Sequence, residues 1–259
     1  MWDSIGVVLV MLATYYAGEY WDVKEDSLMS MQGSRFSGGS QVLQRSLLSR
    51  RSVFIGSIVC VVLALIVGML LQFVYRTGPL TLVFGVIGLL GGFFYSTRPI
   101  RWVSLGFGEV WIALCYGWLP IAAACYIQTQ AIAPIIHWIA IPVGLSIFNV
   151  ILINEFPDHD ADTQAMKKNI VVRIGRNNAS FLYAIASVCS WLGVIMTWVH
   201  GANERIIFFY APVFIISSVI MTMVLLKQWK QRSVLQKLCA ATLVVNLGTT
   251  CAYMGVYIS

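Results

Sequence analysis

The stretch "NEFPDHDAD" at residues 154–162 places four acids within nine positions, directly after the apolar run "GLSIFNVILI". A second acidic stretch, "GEYWDVKED" at residues 18–26, follows an apolar run near the start of the chain. Of the 11 acidic residues, eight fall in these two stretches: Glu19, Asp22, Glu25, Asp26, Glu155, Asp158, Asp160 and Asp162. In each, aspartates recur at a spacing of four, Asp22 with Asp26 and Asp158 with Asp162. The position four residues earlier is Gly18 in the first stretch and Asn154 in the second. A spacing of four stacks side chains on one helix face, and like charges stacked that way repel. Something cationic must therefore sit among them. One reading is a pair of solvated, salt-bridged helix ends, with Lys167, Lys168, Arg173 and Arg35 as partners. The other is divalent metal. Carboxylate and amide oxygens are hard ligands suited to Mg²⁺, whose coordination is completed by water and substrate phosphates. Two facing stripes would hold Mg²⁺ and, through it, a diphosphate. A diphosphate site opening into lipid points to a substrate with a polar head and an apolar tail.

The elements that carry these stripes follow from composition. The chain has 259 residues, 59% hydrophobic and 11% charged, with a mean hydropathy of +0.80; a soluble domain carries about 25% charged residues. Apolar runs of about 20 residues match the hydrocarbon core of a bilayer. Eight are present, at 4–21, 53–75, 78–97, 104–127, 132–153, 179–199, 206–226 and 235–257. Backbone groups in lipid must pair internally, and these runs are too long and too uniform for barrel strands. The expected fold is all-α, a polytopic transmembrane helical bundle of about eight helices, forming one domain over residues 1–259.

Lysine and arginine concentrate in segments 22–52, 98–103, 155–178 and 227–237, which hold 5, 2, 4 and 4 of the 17; Arg76 and Arg205 lie in the intervening loops. The positive-inside rule places those four segments, and with them both acidic motifs, on the cytoplasmic face of a cell membrane, with both termini outside. Topology thus accounts for the net charge of +6, and no nucleic-acid partner is expected. Cys60, Cys115, Cys125, Cys189, Cys239 and Cys251 all fall inside the apolar runs without metal-ligand spacing. They read as small apolar fillers.

Several polar residues inside the runs need a role. Glu109 is the one acid well inside an apolar run; it either steers an acceptor or takes its proton, or else is held by Arg101. Asn149 lies off the stripe of Asn154 and, like Asn246, reads as an interhelical hydrogen-bonding residue. His137 reads as polar packing, His159 as solvated and His200 as a loop residue, none of them a metal ligand.

"GEYWDVKED" and "NEFPDHDAD", the latter followed by "KKNIVVRIG", resemble the two Asp-rich motifs of the UbiA superfamily of intramembrane prenyltransferases. The resemblance extends to "RFSGGSQVL" and to "YSTRPIRWVSLGFGEV", and covers residues 15 to about 176. It implies that Asp22 and Asp26 are first-motif Mg²⁺ ligands, with Asn154, Asp158 and Asp162 as their second-motif counterparts. The four aspartates are then the catalytic set. Lys168 and Arg173 would contact the diphosphate, with Arg35, Tyr95 and Arg98 as further candidates, whereas Glu19, Glu25, Glu155 and Asp160 point to other faces and read as solvated or salt-bridged. The implied activity is transfer of a polyprenyl group from a polyprenyl diphosphate to an aromatic acceptor. Mg²⁺ and basic residues stabilise the departing diphosphate, and aromatic rings face the allylic cation. For any single aromatic, packing or interfacial anchoring is the commoner role.

Two departures stand out. The family's first-motif Asn is Gly18 here, and the family pattern places a helix ahead of the first motif, which in this sequence sits on the first helix. "KKNIVVRIG" is most similar to the menaquinone branch, which prenylates dihydroxynaphthoate. Acceptors such as hydroxybenzoate or a lipid ether remain open, as do a lipid-phosphate or cation transporter and an inactive relative. A transporter more often shows inverted repeats and sites at the membrane midplane; here the charge sits at one face.

Overall fold

In the computed structural model the described residues are 2–23, 42–97, 99–164 and 167–258; Asp26, Arg35 and Arg98 lie outside them. Among the described residues there are eight helices and no strand: α1 (Trp2–Trp21), α2 (Arg50–Val74), α3 (Leu80–Ser96), α4 (Gly108–Thr129), α5 (Ile135–Gln164), α6 (Ile170–Val199), α7 (Arg205–Leu225) and α8 (Arg232–Ile258). Each predicted apolar run coincides with one of them. Six, namely α2 and α4 to α8, are long and apolar enough to cross a membrane. α3 has 17 residues, and α1 carries Asp3 and Glu19 within its 20.

The helix limits differ from the apolar limits at the motif. The run 132–153 continues as helix to Gln164, so the second acidic stretch forms the last three turns of α5, the helix-end position expected of it. Likewise α6 begins at Ile170, ahead of the run at 179–199. Charge marks where a helix leaves hydrocarbon; backbone hydrogen bonding continues beyond it. Pro157 lies within this extension. It has no N–H for the carbonyl four residues back, and the Cys239 thiol donates to that carbonyl, on Ile153, at 3.6 Å.

α5 is the central element, packed along α6 and α8 on one side and along α4 on the other. Its approach to α4 is backbone to backbone: a Cβ on Gly117 would lie 2.5 Å from the Gly144 Cα. Small residues at helix crossings are the usual means of close packing in lipid. Polar side chains tie the other neighbours. Asn149 Nδ2 donates to Ser187 Oγ at 2.9 Å, Asn246 Nδ2 donates to Ser146 Oγ at 2.8 Å, and the hydroxyls of Tyr183 and Thr242 are 2.9 Å apart. Both asparagines thus take the interhelical role expected of them. His137 accepts from Trp118 Nε1 at 3.0 Å and stacks on its ring, which is polar packing.

Candidate active site

The C-terminal ends of α1, α3 and α5 and the N-terminal ends of α4 and α6 meet at one end of the bundle. On α5, Asn154, Asp158 and Asp162 recur every four residues and so share a face. Asp162 is only 3% exposed. Its two oxygens are held from the loop leading into α6: Lys167 Nζ is 3.1 Å from Oδ1, and Asn169 Nδ2 donates to Oδ2 at 2.8 Å. Asn169 also caps α6, its Oδ1 accepting from the Val172 N–H at 2.8 Å, a common use of Asn at that position. One side chain thereby fixes the start of α6 against the end of the motif. Asn154 Oδ1 is buried without a hydrogen-bond partner among the described residues. Asp160, on another face, is exposed and ion-paired with Arg176 at 3.1 Å, the solvated role expected of it. His159 is 2.8 Å from the same carboxylate.

Asp22 follows α1 directly. Arg101 Nη2 lies 3.1 Å from its Oδ1, and the Ser96 hydroxyl at the end of α3 also bonds to it. Burial raises the Asp22 carboxyl above the usual carboxylate range, against the opposing pull of Ser96, then Arg101, then Lys167. Lys167 therefore acts on both motifs. Arg101 has a left-handed backbone, φ 50°. That conformation is costly for a non-glycine residue, and it precedes the short 3₁₀ turn of Trp102–Ser104. Arg101 pairs with Asp22; a pairing with Glu109 is one of the two readings that the sequence leaves open for that acid.

Glu109 is 2% exposed, and its Oε1 accepts the Ile170 N–H at 2.6 Å. Glu155 interacts with the Val171 N–H and lies beside Glu109. The first free N–H groups of α6 thus meet the buried Glu109 and the half-buried Glu155, each of which keeps its Oε2 without a hydrogen-bond partner among the described residues. This corrects the expectation that Glu155 is solvated or salt-bridged. One position past Asn154, it turns inward toward α4 and α6, because α5 is covered on that side. The Tyr95 ring packs on Gly108, with its Cε2 3.2 Å from where a Cβ would stand. Electrostatically it feels Glu155, Glu109 and Asp22. Trp102 and Trp111 stack beside it, centroids 4.9 Å apart.

Of the expected diphosphate ligands, Arg173 donates from Nε to the Lys168 carbonyl at 2.7 Å and from Nη2 to the Leu105 carbonyl at 2.6 Å. Here it clamps two loops together. Gly106, with φ 74°, passes so close that a Cβ there would strike the Arg173 guanidinium. Lys168 is exposed, and its neighbour Lys167 is the one directed at the acids.

Among the described residues no three acidic, His or Cys side chains gather to hold a metal ion. The donor chemistry nonetheless fits Mg²⁺. Asp22, Asn154, Asp158 and Asp162 are all hard oxygen donors, and the unsatisfied Asn154 Oδ1 is what such an ion would use. Asp22 and Asp162 each already hold an intramolecular cation, Arg101 and Lys167, so positive charge at this spot is what the site selects.

Fold and site define an intramembrane helical bundle that gathers carboxylates and cations at one end. The chain belongs to the UbiA prenyltransferase family, whose model matches residues 2–249. It is similar to UbiA prenyltransferase domain-containing protein 1 of Dictyostelium discoideum, 29% identical over 39% of this chain and 30% of that one. It is also similar to the 1,4-dihydroxy-2-naphthoate octaprenyltransferases of Bacillus subtilis (strain 168), 24% identical over 48% and 40%, and of Mycobacterium tuberculosis, 23% identical over 76% and 68%. The first two matches thus span well under half of those relatives' own length. The apo structure of a UbiA homolog from Aeropyrum pernix K1 shares the fold, with a TM-score of 0.69 and 13% identity over 98% of this chain and 89% of that one.

Proposed function

We propose that the chain is a prenyltransferase that moves a polyprenyl group from a polyprenyl diphosphate to an aromatic acceptor, with a dihydroxynaphthoate-like ring favoured. Its site would lie at the cytoplasmic face of the membrane. The observation that carries this is the pairing of two acidic helix ends, Asp22 and the Asn154–Asp158–Asp162 face, each balanced by a cation of the chain itself. Family membership and the dihydroxynaphthoate relatives support the reaction and the choice of acceptor.

Mg²⁺, bound by Asp22, Asn154, Asp158 and Asp162, with Asp26 as a further ligand, would supply Lewis-acid neutralisation of the diphosphate. The other steps belong to the chain. Lys167 and Arg101 stand where they can turn from carboxylate to phosphate oxygens, adding charge-assisted hydrogen bonds as negative charge builds on the leaving group. Arg173, by clamping the loops at Leu105 and Lys168, holds both cations at that place, and Lys168 stands by in the same loop. The allylic C–O bond breaks with its electron pair on the diphosphate. The rings of Tyr95 and the stacked tryptophans stabilise the allylic cation by their quadrupoles. The acceptor ring attacks and then loses a proton.

The test is prenyl transfer in membranes, with a polyprenyl diphosphate and either dihydroxynaphthoate or hydroxybenzoate, with Mg²⁺ or chelator, read by mass spectrometry. The expected result is a Mg²⁺-dependent prenylated naphthoate. Product with hydroxybenzoate alone would transfer the reading to that acceptor. Neither product nor diphosphate release would overturn it in favour of transport or an inactive relative.

A further inference from the structure

Helices α5 to α8 close around a cavity of about 10 Å³, the room that one water molecule needs. Asn149, on its wall, stands at the middle of the 30-residue α5, far from both ends of the bundle. Nine of the ten lining residues carry a polar side-chain atom, and Val245 is the exception. All four helices contribute: Ser146 and Asn149 from α5, Ser187 and Trp191 from α6, Ser217 from α7 and Thr242 from α8. Within this wall α5 and α7 are the diagonal pair, since each packs on α6 and on α8.

The Asn149 amide defines what belongs in the cavity. Its Nδ2 donates to the Ser187 hydroxyl at 2.9 Å and to the Tyr183 carbonyl at 3.3 Å. A carbonyl only accepts, so the amide cannot be turned over. Ser187 spends its own proton on the Tyr183 carbonyl at 2.9 Å and has none for Oδ1. The Asn149 Oδ1 is thus left without a hydrogen-bond partner among the described residues, in a side chain only 5% exposed. An unanswered buried carbonyl is costly, and each one in a native core calls for a reason. Across the junction Ser217 Oγ accepts from Trp191 Nε1 at 2.7 Å, which leaves its O–H to donate. The occupant must therefore be small, must donate to Oδ1 and must accept from a hydroxyl. A cation does not meet this, because no acid lines the cavity and a charge among neutral dipoles at this depth is expensive. An apolar guest would leave Oδ1 unanswered. Water does both, and buried waters make two to four such bonds. We propose that one structural water sits at this junction, donating to Asn149 Oδ1 and accepting from Ser217, and so links the diagonal pair α5 and α7.

The first test is a crystal structure of the wild-type protein, grown in lipidic mesophase, at a resolution that shows ordered waters. A density peak within hydrogen-bond distance of both Asn149 Oδ1 and Ser217 Oγ supports the proposal. A cavity without such a peak overturns it, as does an anomalous signal there from crystals grown in a thallium(I) salt. The second test reads the melting temperature in nanodiscs. Val245→Ile adds one methyl group at the cavity wall. In a dry cavity that methyl fills a void and the melting temperature rises, which overturns the proposal. With water present the methyl expels it, Oδ1 goes unanswered, and the melting temperature falls by about 2–4 °C. Asn149→Leu separates this loss from simple crowding, because in that background no amide oxygen needs the water. There the fall caused by Val245→Ile disappears. A fall that persists beside Leu at position 149 is overpacking and overturns the water's role.

Discussion

The two halves of the bundle are built differently. In α5 to α8 a continuous core of buried side chains runs from Ile139 to Val256, laced by the Asn149–Ser187, Asn246–Ser146 and Tyr183–Thr242 hydrogen bonds. In α1 to α4 the buried apolar residues fall into two small clusters, one around Ala13 and Leu89 and the other around Phe84 and Tyr126, with a glycine-walled cavity between the helices. Lipid gives helices no hydrophobic reason to associate, so packing and polar ties must do it. The second half has both, and the first half has close glycine contacts around an open space. The difference separates a scaffold from a looser half. The acidic site spans the seam, with Asp22 on the looser half and Asp158 and Asp162 on the scaffold.

If that division is right, substitutions at the seam act on turnover and those in the scaffold act on stability. The largest effect is expected for Asp158→Asn. It removes a charge from the shared face of α5 while keeping the shape, and transfer should fall beyond about a hundredfold with the protein still folded in the membrane. Near-wild-type turnover, measured by mass spectrometry beside an unchanged melting curve, would break the assignment of that face. Lys167→Met comes next. Breaking a buried ion pair costs about 3–5 kcal/mol, so in chelator the variant should melt well below the wild type, and added Mg²⁺ should narrow the gap by serving Asp162 in place of Lys167. A gap indifferent to Mg²⁺ would make Lys167 purely structural. In the scaffold, Tyr183→Phe loses one interhelical hydrogen bond and should cost about 0.6–1.7 kcal/mol, with the KM for the prenyl diphosphate unmoved. A shifted KM would mean that the halves are not separable.

The sequence makes some of this legible. Eight helices can be counted because crossing hydrocarbon demands length and apolarity together, and those are properties of composition. The acidic face of α5 is legible because a spacing of four survives any detail of packing. What hides is whatever depends on a neighbour. Glu155 reads as one more surface acid until α4 and α6 cover it, and nothing in its own spacing sets it apart from Asp160. Lys167 and Lys168 are interchangeable on paper; only the turn that brings the Lys167 N–H to the Asp162 carbonyl, at 2.9 Å, decides which ammonium faces the motif. Arg101 reaches Asp22 through a left-handed backbone, which no propensity would assign to arginine.

The smallest expected effect tests the looser half alone. Gly18 stands four residues before Asp22, where the family pattern has Asn. A Cβ at this position would meet Ser96 Oγ at 3.8 Å, ordinary contact, so Asn fits without moving α1 against α3. Its amide oxygen would add a hard donor on the Asp22 face without adding charge, and Asn is a somewhat better helix residue than Gly. Gly18→Asn should therefore transfer prenyl groups at the wild-type rate or slightly faster, and should need less Mg²⁺ for half-maximal rate. A Mg²⁺ requirement unchanged beside an unchanged rate would mean that position 18 does not face the ion. A clear loss of rate would mean that the bare backbone at Gly18 has a role of its own in the reaction.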